Sequence, residues 1–198
     1  MKHIKLIIAC AVFAWTGSAL SQHTEHQHGI KTEPAVIEVK ASPYAGEQER
    51  DIKSLSASDV TSLQNGAGMA YAKAAELNGY PGPLHVLELA APLKLTNDQR
   101  SATEKLMADH KAMARDLSVQ LIAAERTLNS AFALKQVDTQ RIIELTQRIG
   151  ALQASLRAEH LQTHLRQTAL LSAQQVASYQ TLRGYDRLGA DKSHSHPH

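Results

Sequence analysis

The chain has 198 residues, of which 21 are Lys or Arg and 19 are Asp or Glu. Residues 1–21 contain two lysines and no acid, so the rest of the chain carries 19 basic and 19 acidic side chains. This balance argues against a nucleic-acid-binding protein, because binding to phosphates requires an excess of Lys and Arg.

Residues 1–21 have the features of a secretory signal peptide. A basic start precedes an apolar run from Leu6 to Trp15, and small residues lead to the expected cleavage near Ser21. The run is too short to span a bilayer. A lipoprotein box ending at Cys10 competes with this interpretation, but cleavage there would cut the apolar run in half. We therefore expect a soluble periplasmic protein whose mature chain has no cysteine and no transmembrane segment.

Residues 22–55 show little helical periodicity and predict a flexible arm, in which Val36–Val39 could form a short strand. Helical signals begin near Ser56. Short helices are predicted over 57–64, 68–77 and 84–91.

Two long helices are predicted next, from about Asn97 to Leu134 and from Thr139 to about Leu170. The loop between them is short, which makes the helices antiparallel neighbours. A last helix covers 173–183, and a polar, histidine-bearing tail follows over 186–198. The predicted fold of residues 56–185 is therefore all-α, a long antiparallel helical hairpin with short flanking helices.

The two long helices carry apolar residues at steps of three and four, which predicts a seam between them. Other apolar side chains lie off this seam, and we expect them to face a second copy or a client. The seam comprises Leu106, His110, Met113, Leu117, Leu121, Ala124, Leu128 and Phe132, facing Ile142, Leu145, Ile149, Leu152, Leu156 and His160.

Two similar motifs, L-T-x-x-Q and L-S-x-x-Q, bracket the hairpin. In each motif the hydroxyl residue is expected to cap a helix, and the glutamine three positions later reaches back to the amide of the cap, as in a capping box. The preceding leucine is available as a hydrophobic staple. The motif residues are Leu95, Thr96 and Gln99 in the first copy and Leu171, Ser172 and Gln175 in the second.

With these motifs, residues 84–185 resemble the periplasmic LTxxQ family of Spy/CpxP-type stress chaperones and related heavy-metal resistance sensors. The resemblance implies an all-α hairpin that forms a cradle-like homodimer. It also implies ATP-independent binding of unfolded envelope proteins, sensing of zinc, copper, nickel or cobalt, or both. Ser172 replaces the threonine of the second motif, and the balanced charge departs from the strongly basic cradle of some members.

The histidines suggest a metal site. His160 and His164 are four residues apart on one helix, so both rings can meet one ion. If facing residues of the hairpin have numbers that sum to about 273, Met113 lies opposite His160, and His110 lies close to His164. Imidazole with a thioether suits a late transition metal such as copper. The alternative is that these side chains merely end the seam where the hairpin opens to solvent.

Two further histidine groups lie in the arm and the tail, where short His-rich tracts can bind metal weakly. Solvated polar chain ends are the alternative interpretation. Met69 and Met107 are assigned to core filling. The two groups are His23, His26 and His28 in the arm, and His194, His196 and His198 in the tail.

Catalytic motifs are absent from the sequence, which has no nucleophile elbow, no P-loop and no dinucleotide-binding glycine pattern. We therefore expect a non-enzymatic periplasmic protein that binds unfolded clients, with a membrane sensor or an anti-sigma factor as a candidate regulatory partner. Two alternatives stay open: a dedicated metal-binding sensor or buffer, and a structural coiled-coil adaptor.

Overall fold

The structure is a computed structural model that describes residues 40–186. The signal peptide, the Val36–Val39 strand, the arm histidines and the tail histidines lie outside the described residues. The compact unit begins at Ser42. Its elements, in chain order, are a 3-10 turn at Glu47–Glu49 and helices α1 (Ala57–Gln64), α2 (Lys73–Glu76), α3 (Pro83–Glu88), α4 (Asn97–Ala133), α5 (Thr139–Ala169) and α6 (Ala173–Arg183).

No strand occurs between residues 40 and 186, and α4 and α5 form a long helix pair with shorter helices around it. The predicted all-α fold with a long helical hairpin is confirmed. None of the helices described combines the length and the apolar composition that a bilayer crossing requires.

The second short helix is the main difference from the expected helix boundaries. A helix was expected over 68–77, but only Lys73–Glu76 is helical. Met69 and Ala70 have φ angles of 40° and 62°, and residues in this left-handed region cannot continue a right-handed helix. Residues 65–85 instead pass across the hairpin, since α2 contacts α5 and α3 contacts both α4 and α5. We call residues 65–85 the crossing segment.

Both predicted capping boxes are present. Thr96 Oγ1 accepts a hydrogen bond from the Gln99 amide at 3.1 Å, and Gln99 Oε1 accepts one from the Thr96 amide at 3.1 Å. Ser172 and Gln175 repeat the arrangement at 3.2 and 2.9 Å. The boxes therefore start α4 and α6 as the motifs predict.

The two motif glutamines also bond to each other. Gln99 Nε2 donates to Gln175 Oε1 at 2.8 Å, and Gln175 Nε2 donates to Gln99 Oε1 at 2.9 Å. Their remaining amide protons reach the Leu170 carbonyl at 2.9 Å and the Leu93 carbonyl at 3.2 Å. This glutamine pair joins the starts of α4 and α6 to the end of α5.

The hairpin core is apolar towards its closed end. Residues before α1 contribute to it, since Ile52 is buried there and Ser54 donates a hydrogen bond to Glu125 at 2.8 Å. The core consists of Ile52, Leu63, Ala114, Leu121, Ile122, Ala124, Ile149 and Leu156.

The observed seam differs from the expected one near the middle of α4. After His110 the buried positions are Ala114 and Ser118, whereas Met113 is 50% exposed. A small side chain is needed at position 114 because the crossing segment starts against it. A Cβ atom on Gly66, whose φ is 64°, would lie 3.3 Å from the Lys111 carbonyl oxygen and 3.5 Å from Ala114 Cβ.

A second apolar cluster lies beside the glutamine pair. Both motif leucines pack against it. The cluster consists of Val86, Leu93 and Tyr179, surrounded by Leu89, Leu95, Leu171 and Tyr185.

The glutamine pair predicts an energetic coupling between the two motifs. Gln99→Ala and Gln175→Ala should each lower the free energy of unfolding, because each removes a cap and leaves its partner amide unpaired. In a double-mutant cycle measured by urea unfolding, we expect a coupling energy of about 1 kcal/mol. Gln140→Ala is the control and should show no coupling with Gln99→Ala, since Gln140 bonds to Glu144 within α5. Additive effects of Gln99→Ala and Gln175→Ala would contradict the pairing.

Candidate functional site

A cavity of about 600 Å³ lies between the crossing segment and the open end of the hairpin. Helices α4 and α5 each supply three of its lining residues, and Tyr185, which follows α6, also lines it. The helix residues are Met107, His110 and Lys111 from α4, and His160, Thr163 and His164 from α5.

Two buried imidazoles lie side by side at this cavity. The rings of His110 and His160 meet edge to face, with centroids 4.5 Å apart, and His160 also stacks on Tyr71 at 5.6 Å. His110 Nδ1 donates to Glu159 Oε1 at 3.2 Å, and the hydroxyl of Thr163 lies 3.1 Å from the same nitrogen. His160 is only 4% exposed, and its Nε2 atom has no hydrogen-bond partner.

Burial keeps both rings neutral near pH 7. It lowers the pKa of His110 below the ordinary value of 6.5, although the hydrogen bond to Glu159 acts in the opposite direction. Burial, together with the neighbouring His110, lowers the pKa of His160 to about 4. A neutral imidazole retains a nitrogen lone pair, which can accept a hydrogen bond or bind a metal ion.

The third histidine joins the hairpin to the crossing segment. His164 Nδ1 donates to the Tyr80 carbonyl oxygen at 2.7 Å. The ring also lies against Gly82, where a Cβ atom would be only 2.7 Å from His164 Cε1. A residue larger than glycine at position 82 would therefore displace the imidazole or the crossing segment.

Glu76 in α2 supplies the acidic group of the cavity. Its Oε1 atom accepts hydrogen bonds from the hydroxyls of Tyr179 and Tyr185 and lies 3.6 Å from Arg183 Nε. Burial and the bond to Glu76 raise the pKa of Tyr179, which stays protonated. Glu76 Oε2 is buried without a hydrogen-bond partner, 3.7 Å from His164 Nδ1.

The structure brings three of the four predicted hairpin ligands to one cavity. His110, His160 and His164 line it, whereas Met113 does not. The thioether at the cavity belongs to Met107, three residues before His110 and thus on the same helix face. The sequence shows this spacing, but the sequence analysis assigned Met107 to core filling and did not place its thioether beside His110.

The sequence analysis also did not identify Glu76 as a residue of this site, because no residue spacing in the sequence indicates that α2 lies against α5. As the side chains stand, no group of three or more His, Cys, Asp or Glu residues between positions 40 and 186 is arranged as a metal-binding set. The proposed metal site therefore stays a prediction.

His85 was interpreted as a surface or packed histidine. Its Nδ1 atom lies 2.9 Å from the Glu88 carboxylate.

The fold and the site define a class: an all-α protein in which two capping-box motifs close a long hairpin beside a histidine-lined cavity. The model of the heavy-metal resistance family matches residues 66–178, which span α2 to α6 almost to its end, and the chain belongs to that family. This confirms the resemblance inferred from the motifs. Comparisons with curated proteins and with solved structures gave no match.

The buried histidines predict acid-sensitive stability. An imidazole with a lowered pKa binds a proton more readily in the unfolded chain, so stability is complete above pH 6.5 and declines as the pH falls towards 4. One pKa unit corresponds to about 1.4 kcal/mol, so His160 alone should contribute a loss of roughly 3 kcal/mol over this range.

Urea unfolding of the parent and of His160→Gln at a series of pH values measures this effect. The variant should show a flatter decline in its free energy of unfolding between pH 6.5 and 4. His85→Gln is the control and should keep the slope of the parent. Equal slopes for the parent and His160→Gln would show that burial of this ring does not cause the acid sensitivity.

Proposed function

We propose that this member of the heavy-metal resistance family is a non-enzymatic, ATP-independent periplasmic chaperone that acts as a homodimer and holds unfolded envelope proteins. Members of the family are typically periplasmic, which supports the location. One structural observation supports client binding: large apolar side chains remain exposed along the hairpin. They are Met113, Val119, Phe132, Leu134, Ile143 and Leu165.

The exposed side chains are concentrated where α4 turns into α5. Phe132, Leu134 and Ile143 are 53%, 64% and 43% exposed, and all three lie within a dozen residues of chain around the connection. Apolar groups grouped in this way typically mark surfaces that bind other proteins. We call these three residues the tip patch and propose it as a contact for apolar segments of unfolded clients.

The proposed homodimer follows from the same surface. Short helices cover part of the hairpin, since α1 and α3 contact α4 whereas α2 and α3 contact α5. Two exposed side chains outside the tip patch are available to a second copy, Val119 in the middle of α4 and Leu165 near the end of α5. A dimer would then leave the tip patch for clients.

The client-binding proposal is tested by aggregation of a chemically denatured model protein without ATP. The mature protein should slow light scattering at a several-fold molar excess. Replacing the tip patch by glutamine (Phe132→Gln, Leu134→Gln, Ile143→Gln) should remove at least half of the effect, because apolar contacts with the client are lost.

The matched control replaces two exposed apolar residues elsewhere, Tyr44→Gln and Leu182→Gln, and should retain most of the activity. Circular dichroism of both variants checks that the helices persist. A parent protein that does not slow aggregation would contradict the chaperone proposal, and equal losses in both variants would contradict the role of the tip patch.

A second candidate function is metal binding, as a sensor or a buffer. It is favoured by the three imidazoles at one cavity and by the unpartnered lone pair of His160. His110, His160 and His164 would supply nitrogen ligands, and Met107 a thioether, to copper, zinc, nickel or cobalt. His164 would have to leave the Tyr80 carbonyl or bind through its other nitrogen.

Metal binding is tested by calorimetry with each of the four ions. The protein should be full length after signal removal, with the six arm and tail histidines replaced by Ala, so that only the cavity is titrated. We expect one saturable site per chain for at least one ion, with binding weakened as the pH falls towards 4, the pKa at which His160 takes up a proton. His160→Ala/His164→Ala should abolish the site, and His85→Ala should keep it. No saturable binding, or binding unchanged in the double variant, would exclude this site.

A further inference from the structure

Glu76 provides an acceptor that the folded chain leaves unused. Its two oxygens differ sharply: Oε1 is shared by Tyr179, Tyr185 and Arg183, whereas Oε2 is buried and accepts no hydrogen bond. The nearest nitrogen to Oε2 in a described ion pair, His164 Nδ1 at 3.7 Å, already donates its proton to Tyr80. A buried carboxylate oxygen without a donor is costly, and a ligand that brings a donor would remove that cost.

The other walls of the cavity are compatible with a positively charged donor. His110 and His160 are kept neutral by burial, so they do not repel a cation near pH 7. His160 Nε2 is a second buried polar atom without a partner. Two lysines line the cavity, Lys73 from α2 and Lys111 from α4, and Arg183 is already engaged by Glu76 and Tyr185. The repulsion from these two lysines favours a ligand with one positive charge over a polyvalent one.

The remaining surface of the cavity is largely aliphatic and thioether. Such side chains accommodate an apolar group of moderate size, and a volume of about 600 Å³ is typical of a small-molecule site. The apolar lining is supplied by Met69, Leu77, Leu84 and Met107.

We propose that this cavity binds a small organic cation, a primary ammonium group carried on an apolar body. The ammonium donates to Glu76 Oε2, and the apolar body lies among the methionine and leucine side chains. An organic cation is favoured over a metal ion because the ligand atoms around Glu76 are not arranged as a metal-binding set within residues 40–186. This binding is independent of the chaperone activity proposed above, since it does not involve the tip patch.

Three probes with the same phenylethyl body test the proposal on the full mature protein in the presence of EDTA. They are 2-phenylethylamine, 2-phenylethanol and 3-phenylpropionate. Calorimetry should show that the amine binds at least tenfold more tightly than the alcohol, with weaker binding still for the acid. Glu76→Gln should lower the affinity for the amine about tenfold, to that of the alcohol. Glu104→Gln, on the exposed face of α4, is the matched control and should bind like the parent.

Nitrogen-edited NMR of the unchanged protein locates the site and does not depend on the folding of any variant. The amine should shift the amide signals of Gly66 and Gly82, which line the cavity, and leave that of Gly150 in the middle of α5 unchanged. Equal binding of amine and alcohol, binding unaffected by Glu76→Gln, shifts confined to other regions, or binding that appears only when metal is added in place of EDTA would each overturn the proposal.

Discussion

The reciprocal amide pair between Gln99 and Gln175 is the interaction on which the open end of this protein depends. Each glutamine completes the capping box of its own helix and also donates to the other and to a backbone carbonyl. The pair therefore fixes where α6 begins relative to α4 and α5. From that start, one face of α6 brings Tyr179 and Arg183, and then Tyr185, to Glu76 of the crossing segment.

The hairpin is divided into a polar end and an apolar end. Towards the glutamine pair the buried side chains of the α4–α5 seam are mostly polar: Gln167 donates to Thr103 at 3.2 Å and His110 donates to Glu159, whereas His160 Nε2 and Gln167 Oε1 have no hydrogen-bond partner. Further along, Leu121, Ile149 and other apolar residues form an ordinary core. Burial of neutral histidines at the polar end costs stability at acid pH, whereas hydrophobic packing at the other end is insensitive to pH.

This division places the two proposed activities far apart. His110 and Phe132 are 22 residues apart in one continuous helix, which at 1.5 Å per residue separates the cavity from the tip patch by about 33 Å. A ligand in the cavity contacts the crossing segment, α4 and α5, but not the tip. Client binding and ligand binding can therefore be altered by separate substitutions, which makes the proposals independent of each other.

The sequence by itself determined most helix boundaries. Capping side chains act on amides within three residues, so Ser56, Thr96 and Ser172 could be assigned as helix starts without knowledge of the rest of the fold. The seam and the antiparallel register were also largely accessible, because they follow from the 3.6-residue repeat. His110 faces Thr163 and His160, close to the register in which facing numbers sum to about 273.

Only the tertiary structure decided what depends on contacts between distant segments. The bond between the two motif glutamines, the approach of Glu76 to α6 and the positive φ angles of Met69 and Ala70 all arise from how the crossing segment lies on the hairpin. The choice between Met107 and Met113 at the cavity had the same origin. A periodic pattern does not specify which side of a long helix faces a short neighbouring segment, and here Ala114 and Ser118 face inward, whereas Met113 is half-exposed.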